Sequence, residues 1–436
     1  MSSFKMFKLP EYVLEAVEKV GFKEPTIIQE RVIPAVFSGK SIIGQSQTGT
    51  GKTHSFLLPI MAKINQEKME VQAVITAPTR ELAAQIYKAA VSLNEKFPED
   101  KQIHIKSYVG GTDKQRSIDK LTVQPQLVIG TPGRIKDLSE ENALSVFSAD
   151  ILVVDEADLM IDLGFMEDVD KIASRMAPKL QMLVFSATIP EKLQPFLKKY
   201  MNNPKHIHVD PTKVSVEKLE HILVPVRHRD KVQLVKSIIE LQNPFLVLIF
   251  ANTKQNADEL ADALLEKGLQ VGRLHGNLPA RERKRVMKEI NALKYQYVVA
   301  TDLAARGIDI EGVSHVINYE LPQDLDFYIH RCGRTARAGM SGVAVTLYEE
   351  KDDQALNKLE SMGVTFSNRD VVKGEWVEID DRNKRKKRKN SPKAAGEVKN
   401  YGKFSKHLRK VKPGYKKKVK AEVEKIKKRE RRLKKR

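Results

Sequence analysis

The sequence predicts an α/β protein built from two tandem lobes, each a parallel sheet flanked by helices, with a basic tail behind them. Three observations lead there. Short β-branched runs alternate with helix-patterned stretches through most of the chain. A glycine-rich loop joins an early strand to a helical stretch. The charge balance changes abruptly near residue 381.

In the first lobe a short strand near Ile42–Ile43 is followed by runs at Val71–Thr76, Ile103–Val109, Leu127–Ile129, Ile151–Val154 and Met182–Phe185. The second series is Ile222–Val226, Phe245–Phe250, Tyr297–Ala300, Val313–Asn318 and Val343–Leu347. Arg80–Phe97 and Asn256–Lys267 read as helices. Runs such as Ile151–Val154 are apolar throughout, which is the pattern of strands covered on both faces. Asp210, Pro211 and Thr212 break both periods. The expected boundaries are therefore lobe one at 1–209, a linker at 210–216, lobe two at 217–368, a connector at 369–381 and the tail at 382–436. Strand signals are expected to stop past Gly374.

Composition narrows the function. The chain has 436 residues, and 41% are hydrophobic, enough for real cores and against wholesale disorder. The net charge is +20, but it is not evenly spread: Arg382 to Arg436 holds 27 basic and 4 acidic residues, a local +23. Residues 1–381 hold 49 basic against 52 acidic. Such a tail seeks a polyanion, either nucleic acid or an acidic membrane surface. It reads as a solvated coil, or as a helix with Val419, Val423, Ile426 and Leu433 on one face; Tyr401, Phe404 and Tyr415 are either scattered exposed aromatics or base-stacking groups. Cys332 is the only cysteine, so neither a disulfide within the chain nor a paired-thiolate metal site is expected. The N-terminus has no apolar signal core. The longest clean apolar run, Phe245 to Ala251, is far below the ~18 residues needed to span a bilayer. A soluble, cytoplasmic protein without membrane contact is expected.

The loop Ser46-Gln47-Thr48-Gly49-Thr50-Gly51-Lys52-Thr53 supplies backbone N–H groups that can converge on phosphate oxygens at a helix N-terminus. Lys52 would reach the β- and γ-phosphates of a nucleotide, and Thr53 would ligate Mg²⁺. Ser46 stands where the commonest phosphate loop has its first glycine. Asp155-Glu156-Ala157-Asp158 follows the buried run Ile151–Val154 directly. Carboxylates at that end of a parallel strand face the ligand crevice. Asp155 is placed to hold Mg²⁺, partly through water, and Glu156 to orient or deprotonate the attacking water. On its own the string also reads as capping acids at a helix start.

With their spacing, the two motifs resemble those of the DEAD-box family of ATP-dependent RNA helicases, and further strings resemble the family's others in order. These are Gly21-Phe22-Lys23-Glu24-Pro25-Thr26-Ile27-Ile28-Gln29 with Phe4 upstream, Pro78–Ala83, Gly110-Gly111, Thr131-Pro132-Gly133-Arg134 and Ser186-Ala187-Thr188. In lobe two they are Leu248–Thr253, Leu274-His275-Gly276, Ala300–Asp309 and His330–Arg337. The resemblance covers about residues 4 to 350 and implies RecA-like lobes. The basic tail resembles that of the bacterial cold-shock subgroup, in its B-type form of Gram-positive bacteria.

The resemblance implies the following roles. Gln29 would read adenine, favouring ATP over GTP, because its amide both donates and accepts. Phe4 would stack on the base, or serve as a staple at a helix start. Asp309 would meet the ribose. Ser46, Gln47, Thr48, Gly49, Thr50, Gly51, Lys52 and Thr53 would hold the phosphates. Arg334 and Arg337 would approach the γ-phosphate from lobe two and complete catalysis with Lys52, Asp155 and Glu156. Asp158, Ser186, Ala187, Thr188 and His330 would couple hydrolysis to unwinding. RNA would meet Arg80, Gly111, Thr131, Gly133 and Arg134 in lobe one, and Thr253, Gly276, Arg283 and Thr301 in lobe two. These groups suit a sugar-phosphate backbone, so recognition should be largely sequence-independent. Ala280 replaces a frequent glutamine, Ala336 a usual glycine and Cys332 an apolar residue.

The implied function is RNA-stimulated ATP hydrolysis with local unwinding of short duplexes, in cold-shock RNA remodelling or ribosome assembly. ATP and Mg²⁺ are the cofactors. RNA, either ribosomal or cold-structured messenger, is the partner, with cold-shock proteins or ribosomal particles beside it, and the protein is expected to be a monomer. The rival readings are an ATP-gated RNA clamp in a ribonucleoprotein particle and a DNA-translocating helicase.

Overall fold

A computed structural model describes residues 3–46, 50–111, 114–119, 121–209, 219–302, 310, 312–336 and 341–382. Gln47, Thr48, Gly49, Asp309, Arg337, residues 210–216 and the tail beyond Arg382 lie outside the described residues. Two parallel sheets, both within the compact unit Met1–Ile379, carry the architecture.

The first sheet has seven strands: β1 (Ile42–Gln45), β2 (Ala73–Thr76), β3 (Ile105–Tyr108), β4 (Leu127–Gly130), β5 (Ile151–Val154), β6 (Gln181–Ser186) and β7 (Lys205–His208). Their order is β3-β4-β2-β5-β6-β1-β7, and every pair is parallel. β2, β4, β5 and β6 are buried at every position because separate apolar clusters cover the two sheet faces. Ile75 and Val153 pack on one side, Val74 and Leu152 on the other. This is why those runs lack a polar alternation.

The second sheet has eight strands: β8 (Leu219–Pro225), β9 (Val247–Ala251), β10 (Val271–Leu274), β11 (Tyr297–Thr301), β12 (His315–Asn318), β13 (Gly342–Tyr348), β14 (Phe366–Val372) and β15 (Glu375–Glu378). The order is β10-β11-β9-β12-β13-β8-β14-β15, and only the last pair is antiparallel.

The sheet thus runs on to Glu378, past the expected lobe boundary at 368 and past Gly374. Gly374 is the turn of a hairpin: Val372 pairs with Glu375, and Lys373 and Gly374 both have positive φ, 52° and 81°. That two-residue geometry matches the twist of a hairpin. Asp370, buried in β14, is gripped by Arg227 Nη1 at 3.2 Å and Arg229 Nη2 at 2.7 Å. A buried carboxylate held by two guanidiniums fixes the hairpin to the start of the lobe.

Candidate active site and nucleic-acid interface

All strands of a parallel sheet deliver their following loops to one edge. In lobe one the strand order sorts those loops into two neighbouring groups. β5, β6 and β1 are adjacent and carry the acids, the Ser-Ala-Thr string and the phosphate loop. β2, β4 and β3 are adjacent and carry Arg80, Thr131 and Gly111.

In the first group Lys52 opens the helix Lys52–Lys63 and is buried. Its Nζ donates to the Ser46 carbonyl at 3.0 Å and lies 3.8 Å from Glu156 Oε1. Ser46 in turn donates its N–H to the Ser186 carbonyl at 3.1 Å, which ties the loop to β6. Asp155 is 3% exposed and accepts the Glu156 N–H at 3.0 Å. Burial pushes its carboxyl up to about 7; Lys52 pulls the other way, and Glu156 adds to the rise. Glu156 is 2% exposed, and its Oε2 has no hydrogen-bond partner. Its φ of 55° is left-handed, a strained conformation outside glycine. A buried carboxylate oxygen without a protein partner carries a desolvation cost. Among the described residues no group of three or more His, Cys, Asp or Glu could hold a metal.

Gln29 is buried in the helix Ile27–Phe37, where both ends of its amide are engaged. Oε1 accepts the Thr26 N–H at 2.9 Å, and Nε2 donates to the Gly51 carbonyl at 3.2 Å. The segment expected to read adenine is therefore strapped to the phosphate loop. Gly51 has φ 92°, and a Cβ there would stand 2.8 Å from Gln29 Nε2 and 2.9 Å from Thr26 Oγ1. Gly51→Ala is expected to weaken binding of a fluorescent ATP analogue by about five-fold or more, from the usual cost of forced backbone strain. Titration alongside circular dichroism checks this; undiminished affinity in a folded variant rejects the strap. Phe4 is 5% exposed and packs edge-on against Phe7 at 5.8 Å between ring centres, within the lobe-one core.

Asp158 binds the Ser-Ala-Thr string. Its Oδ2 accepts the N–H groups of Ala187 and Thr188, both at 3.2 Å, and the Thr188 hydroxyl at 3.3 Å. Its own N–H donates to Ser186 Oγ at 3.1 Å. The last acid of the β5 loop and the loop after β6 are one hydrogen-bonded piece.

In the second group the Arg80 guanidinium lies against Gly111, whose φ is 75° and whose Cβ, if present, would sit 2.2 Å from Arg80 Nη1. Thr131 Oγ1 accepts the Gly110 N–H at 3.1 Å. Gly133 and Arg134 stand in the first turn of the helix Pro132–Glu140. Asp168 approaches Gly133 and is neutralised by Lys136 at 2.9 Å.

In lobe two, Thr253, Gly276 and Thr301 line a cleft of about 690 Å³ at the ends of β9, β10 and β11, with Lys254, Gln323 and Phe327 beside them. Arg283 meets Glu81 of lobe one, Nε to Oε1 at 2.5 Å. This expected RNA contact is thus engaged by the residue that follows Arg80. His330 lies in the helix Asp326–Cys332, and Arg334 follows it, donating Nε to the His330 carbonyl at 3.2 Å. Ala336 has φ 55°, the conformation in which the family's usual glycine carries no steric penalty. Cys332 is buried, and burial pushes its thiol up to about 12, so it forms no thiolate at neutral pH.

Two sets of residues escaped the sequence reading. Glu81 carries no signal beyond its place in a quoted string. Arg331, inside another, is among the most deeply buried large side chains described. Arginine is ordinarily exposed, so nothing in the pattern announces this.

The DEAD/DEAH box helicase family matches residues 26–196, and the helicase conserved C-terminal domain matches residues 230–339. The chain is 59% identical over 431 residues to the DEAD-box ATP-dependent RNA helicase CshB of Bacillus subtilis, covering 99% of this chain and 98% of that one. It is 47% identical to the protein of the same name from Staphylococcus aureus, covering 88% and 85%. Among solved structures it resembles S. cerevisiae Dbp5 bound to RNA and ADP BeF3, with a TM-score of 0.76, 28% identity and coverage of 85% and 96%. It also resembles Mss116p bound to ssRNA and AMP-PNP, with a TM-score of 0.73, 28% identity and coverage of 84% and 78%. The chain belongs to the DEAD-box family of ATP-dependent RNA helicases.

Proposed function

We propose that this protein hydrolyses ATP in response to RNA and uses the cycle to separate short RNA duplexes locally. One observation carries the reading: Lys52, Asp155 and Glu156 meet at the phosphate loop, while Asp158, in the segment that carries those acids, binds Ala187 and Thr188. Glu156 would accept the proton of the attacking water. Lys52 would neutralise phosphate oxygens. Arg334 and Arg337 would supply positive charge from lobe two. Thr53 and Asp155 would hold a Mg²⁺ ion, partly through water, and the ion would offset charge on the phosphate oxygens. RNA would lie along Arg80, Gly111, Thr131, Gly133 and Arg134, and along Thr253, Gly276, Arg283 and Thr301.

Turnover measured with and without single-stranded RNA tests the reading. Strong stimulation is expected; none would favour the ATP-gated clamp. Competition between matched RNA and DNA strands tests the preference for RNA, which contact with 2′-hydroxyls would provide. No helix among the described residues is long and apolar enough to cross a membrane. We place the protein in the cytoplasm as a monomer, acting on ribosomal or cold-structured messenger RNA, with cold-shock proteins or ribosomal particles as associates.

The tail would act as a tether for phosphates. Truncation after Asp381 is expected to spare ATP turnover without RNA, weaken RNA binding and flatten its salt dependence. Contact with 6–10 phosphates implies a loss of about 10³–10⁵ in affinity between 50 and 200 mM salt in the intact chain. RNA binding titrated at several salt concentrations checks this; an unchanged slope discards the tether.

A further inference from the structure

The cleft of lobe two has two kinds of lining. Its volume of about 690 Å³ falls within the range of about 300–1,000 Å³ usual for clefts that enclose a small ligand. A sugar-phosphate backbone can be held on a shallow surface, whereas a cleft of this size also admits a base.

One part of the lining comes from the loops after β9, β10 and β11. Thr253 Oγ1 accepts the Asn256 N–H at 3.0 Å, capping the helix Lys254–Glu266, and this leaves the hydroxyl hydrogen for an outside acceptor. Lys254 adds a cation beside Gly276: its Cε would lie 3.3 Å from a Cβ there, and its Nζ donates to Asn277 Oδ1 at 2.8 Å. Asp302 is clasped through both oxygens by Arg331, at 2.7 Å to Nη2, which balances its charge. Hydroxyl donors and an ammonium suit phosphate oxygens.

The other part follows β12 and is made by Gln323, Asp324 and Phe327. Gln323 and Asp324 are exposed, and Phe327 is half-buried. The Phe327 N–H donates to the Asp324 carbonyl at 3.2 Å, so the ring and the acid belong to one turn. A carboxylate repels phosphate but accepts the N–H groups on a base edge. The glutamine amide both donates and accepts. An aromatic ring offers a flat face for stacking, and every base has a matching one. Phe327 stands three residues ahead of His330, outside all the motif strings, so nothing in the sequence pattern marks it.

The geometry points to a nucleobase subsite: with the strand's backbone on Thr253, Gly276 and Thr301, one base turns inward, stacks on Phe327 and meets Gln323 and Asp324 with its edge. This rests on the RNA-binding reading above. The contact tolerates any sequence and favours purines, which stack more strongly.

The test uses the full-length chain with a non-hydrolysable ATP analogue and two short labelled strands, one of intact RNA and one of the same ribose-phosphate backbone without bases. Anisotropy titrations should show wild type binding the intact strand about five-fold or more tighter. Equal affinity overturns the inference without any variant. Phe327→Leu keeps the apolar bulk and removes the flat face, so the gap should shrink to within about two-fold, by weaker binding of the intact strand alone. A gap that persists overturns the inference. So does equal weakening on both strands, which would mean that the ring serves a contact within the protein. If Phe327→Leu does not fold, Asp324→Ala takes its place: it should narrow the same gap, and an unchanged gap again overturns the inference. Failure of wild type to bind the intact strand at all would instead sink the RNA-binding reading.

Discussion

Glu156→Gln is expected to slow ATP turnover by about 10²–10⁴-fold, the range contributed by a positioned general base, while ATP-dependent RNA binding persists. The substitution keeps the shape of the side chain and removes only its charge and its basicity. Oε1 lies 3.8 Å from Lys52 Nζ, so the neutral amide leaves Lys52 with less to balance it and a stronger field toward an incoming phosphate. ATP affinity should hold or rise. Oε2, buried and without a hydrogen-bond partner within the protein, is the atom proposed to take the proton. Single-turnover hydrolysis and RNA anisotropy with and without ATP separate these effects. Turnover within a few-fold of wild type would remove Glu156 from the base role. Loss of ATP-dependent RNA binding would mean that its charge serves assembly of the site instead.

The legible part of this protein is the part whose signal is local. β5 reads as a buried strand because four consecutive aliphatic residues leave no polar face, and both faces are indeed covered. The loop Ser46–Thr53 and the acids after Val154 are legible because phosphate chemistry needs those residue types at those intervals. β7 is not legible: Lys205-His206-Ile207-His208 buries only Ile207, as befits a strand at the sheet's edge. The hairpin β14–β15 hides for a related reason. Its anchor is the buried charge of Asp370 and its turn is Lys373-Gly374, so a reader looking for apolar alternation meets a charged strand and a glycine and stops.

Partnership is the second thing that stays out of sight. The Gln29 amide spans Thr26 and the Gly51 carbonyl, the latter 22 residues away, before any adenine is considered. Arg283 joins Glu81 across 202 residues. Arg331 draws on acceptors from Asn252 to Glu320. Each contact is made by an ordinary polar residue whose meaning depends on which strand ends the topology brings side by side. Motif spacing tells which groups could do chemistry; the strand order tells which of them can act together.

Arg334→Ala should lower RNA-stimulated turnover by about 10³–10⁵-fold, the scale of arginine-finger groups in related nucleotidases, with little change in ATP binding. Arg334 is 4% exposed, just beyond the helix Asp326–Cys332. The turn that holds it is backbone-bonded, Arg334 N–H to the Arg331 carbonyl and Thr335 N–H to the Cys332 carbonyl, so truncating the side chain leaves the turn in place. The residues proposed to hold the adenine and the phosphates, from Gln29 to Thr53, lie in lobe one, so most of the ATP affinity should survive. Arg334→Lys should rescue little, because a single ammonium cannot present several donors to phosphate oxygens at once. Combining Arg334→Ala with Glu156→Gln gives the sharper result. If the guanidinium and the carboxylate act on one transition state, the double variant should be scarcely slower than the worse single one. If the two losses multiply instead, the two groups contribute independently and do not act as one cooperative unit.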